Sequence, residues 1–156
     1  MNKMLCFDMD GTIADLYNVP DWLAKIHKED VSPYLDAEPM WDMKVLNYLL
    51  LALVDEGWQI RVITWLAMDS SEEYKKEVRK AKLQWLRKHH FPTHKVHMVA
   101  YGTTKANSVR KDCSFGILID DNEQVRNGWN LGAVIDPQET DLLEELRKLL
   151  KIMVDK

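Results

Sequence analysis

The chain has 156 residues, 46% of them hydrophobic, which is enough for one globular domain with a sizeable core. A formal net charge of −4 argues against a protein that coats nucleic acid, and no window approaches the ~18 apolar residues of a membrane span. Cys6 and Cys113 are too few for a disulfide framework, and no basic stretch precedes a long apolar run at the N-terminus, so a reducing, cytoplasmic setting is expected.

Met4 to Phe7 is a short apolar run suited to one buried strand of a parallel sheet. Asp8 and Asp10 follow at a spacing of two, so an extended backbone aims both carboxylates to one side, and Gly11 permits a sharp turn. Two acids crowded at the end of a buried strand repel each other and resist burial, and a divalent cation is the simplest compensation. The bland alternative is a polar turn with both acids facing water.

Leu16 to Trp41 is punctuated by Pro20, Pro33 and Pro39 and reads as a loop-helix-loop insert, with a short helix over Asp21 to Lys28. The apolar spacing of Val45, Leu46, Leu49, Leu50, Leu53 and Val54 predicts a helix over Asp42 to Glu56, stopped by Gly57. Gln59 to Thr64 is a second strand. A long helix over Ser70 to His90 follows, capped by Ser70 or Ser71, with Tyr74, Val78, Ala81 and Trp85 as its buried stripe. Its many basic residues, Lys75, Lys76, Arg79 and Lys82 among them, are assigned to a solvated face. Val96 to Ala100 is a third strand, and Thr103 or Thr104 caps a short helix through Arg110. Phe115 to Ile119 is a fourth strand ending in Asp120 and Asp121. A helix over Glu123 to Asn130, a fifth strand over Gly132 to Ile135 and a closing helix over Gln138 to Val154 complete the chain.

This alternation predicts a single α/β domain over residues 1–156: a Rossmann-like, five-stranded parallel sheet with helices on both faces and the small insert 16–41 as a cap. Such sheets bind ligands at the C-terminal ends of their strands. Asp8, Asp10, Thr64, Asp120 and Asp121 all fall there, with Lys105 just after the third strand. The five histidines form no compact metal-ligand motif and are expected in solvent.

Asp8-Met9-Asp10-Gly11-Thr12 after a hydrophobic strand resembles the first motif of the haloacid dehalogenase superfamily of phosphohydrolases. Ile60 to Thr64 is similar to the second motif of that family, Lys105 to the third, and Ile117-Leu118-Ile119-Asp120-Asp121 to the paired-acid form of the fourth. Lys111 is a rival for the third. The resemblance implies Mg2+-dependent phosphomonoester hydrolysis, with Asp8 as nucleophile and Asp10 as general acid and base. It implies Mg2+ held by Asp8, the Asp10 carbonyl, Asp120 and Asp121, and a phosphoryl group held by Thr64, Lys105 and the Gly11-Thr12 turn. Asp8 to Asp15 is similar to the opening of the 5′(3′)-deoxyribonucleotidases, although those carry a larger cap. Ile117 to Val125 followed by Trp129 is similar to the phosphatase half of phage polynucleotide kinases. The expected substrate is therefore a small phosphorylated molecule, foremost a nucleotide. A 3′-phosphorylated polynucleotide or a catalytically silent binding module of the same fold are the alternatives. Tyr17, Trp22 and Tyr34 in the insert, and Trp65 after Thr64, are flat side chains that could stack on a base. Neither a membrane partner nor an oligomeric state is indicated.

Overall fold

The computed structural model describes residues 1–155. The chain opens with strand β1 (Asn2–Phe7) and leaves it for the insert, which begins with β2 (Ala14–Asp15). Helices α1 (Trp22–His27) and α2 (Ser32–Asp36) lead to β3 (Glu38–Pro39), which pairs antiparallel with β2. The insert thus leaves and re-enters the domain side by side. It is a two-helix flap on a short ladder, one helix more than the sequence predicts, because the prolines hide a turn of helix that starts at Ser32 with Pro33 in its first turn.

Helix α3 (Met43–Asp55) is capped by Asp42, whose side chain accepts from the backbone N–H groups of Lys44 and Val45. Strand β4 (Trp58–Trp65), helix α4 (Glu72–Lys88) and strand β5 (Lys95–Val99) follow. The expected helix after β5 is only a 3-10 turn over Lys105–Ser108. Strand β6 (Cys113–Ile119), helix α5 (Glu123–Asn127), strand β7 (Gly132–Ile135) and helix α6 (Leu142–Val154) complete the fold. Helix α6 starts four residues later than predicted, since Asp141 caps it while Asp136 organises a turn ahead of it.

The main sheet is parallel throughout, in the order β5-β4-β1-β6-β7. This is the five-stranded α/β architecture the sequence predicts. Strand β1 lies at the centre and is buried on both faces. Leu5 and Phe7 face α3 and α6 through Leu46, Leu50, Leu142 and Leu146, while Met4 and Cys6 face Ala106, Val109 and Trp129. A smaller cluster of Leu16, Tyr34, Leu66, Tyr74 and Val78 seats the insert on α4. Two indole N–H groups pin its returning limb: Trp85 donates to the Ala37 carbonyl at 2.7 Å and Trp41 to the Thr12 carbonyl at 2.8 Å. Cys6 and Cys113 are both buried and free. Among the described residues, no helix is long and apolar enough to cross a membrane.

Candidate active site

The ladders run one residue past β1 and β6: Asp8 N–H donates to the Ile119 carbonyl and Asp120 N–H to the Ile135 carbonyl. The sheet itself therefore sets these two carboxylates side by side. They open on a cavity of about 550 Å³, which Asp10, Thr64, Lys105 and Asp121 also line. Lys105 Nζ donates to Asp8 Oδ1 at 2.8 Å and to Asp120 Oδ2 at 2.7 Å. Its side chain is almost completely buried, whereas Lys111 is exposed on the surface. Burial pulls the Lys105 ammonium pKa down, but the Asp8 and Asp120 charges more than offset this, so it stays protonated above its ordinary range.

The remaining Asp8 oxygen, Oδ2, accepts from Thr12 Oγ1 at 3.1 Å, and the same hydroxyl accepts from Asp121 N–H at 3.2 Å. Thr12 stitches the loop after β1 to the end of β6. Gly11 has a φ of +80°, and a Cβ there would stand 2.5 Å from Asp121 Oδ2 and 2.6 Å from the Tyr17 ring. Only glycine fits such a close, left-handed position. The sequence suggests Gly11 and Thr12 as substrate contacts, but neither lines the cavity. Thr12 is fully buried, and Gly11 N–H is spent on the Ala14 carbonyl at 2.8 Å. The two residues shape the loop and leave the lining to others.

Asp8, Asp120 and Asp121 can each turn one oxygen into a group within 4.8 Å of one another. Burial, followed by repulsion from Asp8, raises the Asp120 carboxyl to about 6, with Lys105 opposing. Burial and contacts with Asp8 raise Asp121 to about 7. A hard divalent cation with oxygen ligands fits such a donor set and would relieve the repulsion. The Asp10 carboxylate is turned away from this group toward Lys82. Only its backbone carbonyl is left to serve a metal in the way the resemblance implies.

A pH dependence follows. Both carboxyls have folded-state values above the ordinary Asp value, so their contribution to stability is present at low pH and lost as pH rises through about 6 to 7. Metal-free protein is expected to lose unfolding temperature between about pH 5 and about pH 8 on their account, and added Mg2+ to raise it more at the higher pH. Thermal unfolding with and without Mg2+ at both pH values measures this. A Mg2+ effect that is equal or larger at the lower pH would contradict it.

Asp10 also lies above the ordinary carboxylate range, because burial outweighs the Lys82 charge that opposes it. Its carboxyl can therefore carry a proton under conditions where an exposed aspartate would not. The assignment of Lys82 to a solvated face is overturned: the residue is fully buried and its Nζ reaches Asp10 Oδ2 at 3.0 Å. A signal for this was present, since Lys82 stands four residues from both Val78 and Leu86 on the apolar stripe of α4. Of the other basic residues singled out on this helix, Lys76 is exposed and Lys75 and Arg79 are half-buried.

The cavity walls are aromatic. Tyr17 and Trp22 come from the insert, with ring centroids 4.9 Å apart, and Trp65 and Tyr101 from the sheet edge, 4.8 Å apart. The Trp65 indole N–H donates to the Thr103 carbonyl at 2.9 Å, which fixes its ring. Tyr34, expected as a third stacking surface, is buried with Lys82 Nζ 5.3 Å from its ring centre. It supports the insert and reaches the cavity lining only with the small part of its ring left uncovered. Tyr101 adds a further aromatic wall, and nothing in its local sequence marks it. His27 is exposed at the cavity rim, while His97 is half-buried against Arg61, with Nε2 3.1 Å from the guanidinium.

No protein-family model matches the sequence, and no curated protein matches it. Among solved structures, the chain is similar to the crystal structure of a D,D-heptose 1,7-bisphosphate phosphatase from Burkholderia thailandensis. The two share 12% sequence identity at a TM-score of 0.55, over 96% of this chain and 99% of the other. The likeness shows a common fold.

Proposed function

We propose that this protein is a Mg2+-dependent phosphomonoester hydrolase, acting through an aspartyl-phosphate on a nucleoside monophosphate. The observation that carries the reading is the Lys105 ammonium, buried between Asp8 and Asp120 on the floor of an aromatic-walled cavity. A phosphate dianion repels a carboxylate nucleophile, and the adjacent fixed cation offsets that repulsion. The similar fold of a known phosphatase agrees with the reading.

Asp8, Asp120 and Asp121 would hold the Mg2+, together with the Asp10 carbonyl. When bound, it supplies positive charge that neutralises the phosphoryl oxygens. Lys105 orients Asp8 and faces a phosphoryl oxygen, while the Thr64 hydroxyl on the cavity wall donates to another. An Asp8 carboxylate oxygen attacks phosphorus, and the bond to the leaving oxygen breaks as Asp10 gives that oxygen its proton. Asp10, now ionised, takes a proton from water as the water attacks phosphorus. The bond to Asp8 then breaks, releasing inorganic phosphate and restoring both aspartates.

The leaving group occupies the space between Trp22 and Trp65, where a base can stack. Lys105 and His27 are the cavity's basic side chains, against six acidic ones. A polynucleotide backbone or a second phosphate finds little counter-charge there, which favours a mononucleotide over an oligonucleotide end.

Chelation is expected to abolish turnover and Mg2+ to restore it. Nucleoside monophosphates are expected to exceed sugar phosphates in kcat/KM. Stacking is worth roughly 1–3 kcal/mol per base, so Trp22→Ala or Trp65→Ala is expected to shrink that preference by about tenfold without disabling hydrolysis of a minimal aryl phosphate. Equal turnover of glucose phosphate and nucleotide, indifferent to both tryptophans, would remove the nucleotide reading. A steep salt dependence with 3′-phosphorylated oligonucleotides would favour a polynucleotide in its place.

A further inference from the structure

Helix α4 carries a lysine inside its apolar face. Lys82 is fully buried, and its ammonium group donates to Asp10 Oδ2 at 3.0 Å, Thr64 Oγ1 at 2.6 Å and the Trp65 carbonyl at 2.9 Å. An ammonium has three N–H bonds, and these three partners use them all. The ring of Tyr34, from the insert, lies 5.3 Å away on another side. Leucine or methionine at this place in the stripe would pack without the desolvation cost of a buried cation. The partners of Lys82 nonetheless come from three separate parts of the site: the loop after β1, the end of β4 and the cap.

Hydrogen-bond direction assigns the consequence. Thr64 Oγ1 accepts from Lys82, so its own O–H has to point away from the lysine, and Thr64 is one of the residues that line the cavity. Asp10 Oδ2 is held by Lys82, which fixes the plane of the carboxyl and leaves Oδ1 for a proton shared with the leaving oxygen. We infer that Lys82 is a positioning residue, one that aims the Asp10 carboxyl at the leaving group and the Thr64 hydroxyl at the phosphoryl group. The inference rests on the phosphatase reading above. It is independent of which phosphomonoester the protein takes.

The test compares phenyl phosphate, whose leaving group needs a proton, with p-nitrophenyl phosphate, whose leaving group needs it far less. Lys82→Met is expected to lower kcat/KM about 10²-fold on phenyl phosphate and no more than about tenfold on p-nitrophenyl phosphate. Asp10→Asn removes the group being aimed. In that background, adding Lys82→Met is expected to leave the ratio between the two esters unchanged. A lysine that only supports the fold would give equal losses on both esters in both backgrounds. That result, or no loss at all, would overturn the proposal. Thermal unfolding establishes that each variant is folded. Should Lys82→Met not fold, Lys82→Gln keeps one hydrogen bond and carries the same comparison, and loss of the fold in both would mark the residue as structural and overturn the proposal. Wild-type protein inactive on both esters with Mg2+ present would instead show that the phosphatase reading had failed, and the positioning role with it.

Discussion

Asp8→Asn is expected to lower kcat by at least about 10³-fold, because it removes the nucleophile while leaving the shape of the site almost unchanged. Its effect on stability should run the other way. Asp8 contributes negative charge to a crowded group with Asp120 and Asp121, and Lys105 keeps its bond to Asp120 in the variant. Removing that charge is expected to leave the metal-free unfolding temperature unchanged or slightly raised, and to abolish most of the Mg2+-induced rise. Steady-state kinetics and thermal unfolding on the same preparations separate the two effects. Wild-type activity in this variant would end the assignment of Asp8.

Lys105→Ala is expected to cost at least about 10²-fold in kcat/KM, since an uncompensated carboxylate would then face the phosphate. Here stability falls as well. The lysine is the cation bonded to both Asp8 and Asp120, and without it two buried carboxylates stand unpaired. The loss is expected to be larger near pH 8 than near pH 5, where Asp120, already raised to about 6, can take up a proton. Lys111→Ala, at an exposed position, is expected to stay within about threefold of wild type on both counts. A damaging Lys111→Ala beside a mild Lys105→Ala would reverse the assignment of the two lysines.

The sheet was legible in the sequence because its three inner strands, β4, β1 and β6, carry apolar runs ended by a polar residue at the same edge. Asp8, Thr64 and Asp120 mark such ends, and a parallel sheet brings them together by topology alone. Lys105 was legible only as a residue in the right turn. Its contact with two carboxylates depends on the three-dimensional path of the 3-10 segment after β5. The insert was partly hidden. Its prolines suggested loops, but Pro33 sits within the first turn of α2, where proline needs no backbone donor.

Lys82 is hidden in the sequence for a different reason. Charge on a basic helix points to solvent, whereas the spacing that puts Tyr74, Val78 and Trp85 inside runs through the lysine between them. The family resemblance places Gly11 and Thr12 against the phosphoryl group. Local geometry instead commits Gly11 to a left-handed turn against Asp121 and the Thr12 hydroxyl to Asp8 and Asp121. In both places, residue type was visible in the sequence but direction was not.

The central claim is that Asp8 becomes covalently phosphorylated. The most direct measurement is acid quenching of the Asp10→Asn variant during turnover of p-nitrophenyl phosphate, whose leaving group hardly needs the missing acid, with Mg2+ present, followed by peptide mass spectrometry. Without its general base, breakdown of the intermediate is slow and the adduct should accumulate. One phosphoryl group on Asp8, absent when Asp8 is replaced by Asn or when Mg2+ is chelated, is the predicted result. Phosphate release by the wild type with no adduct on Asp8 in the variant, or with the adduct on another residue, would contradict the account.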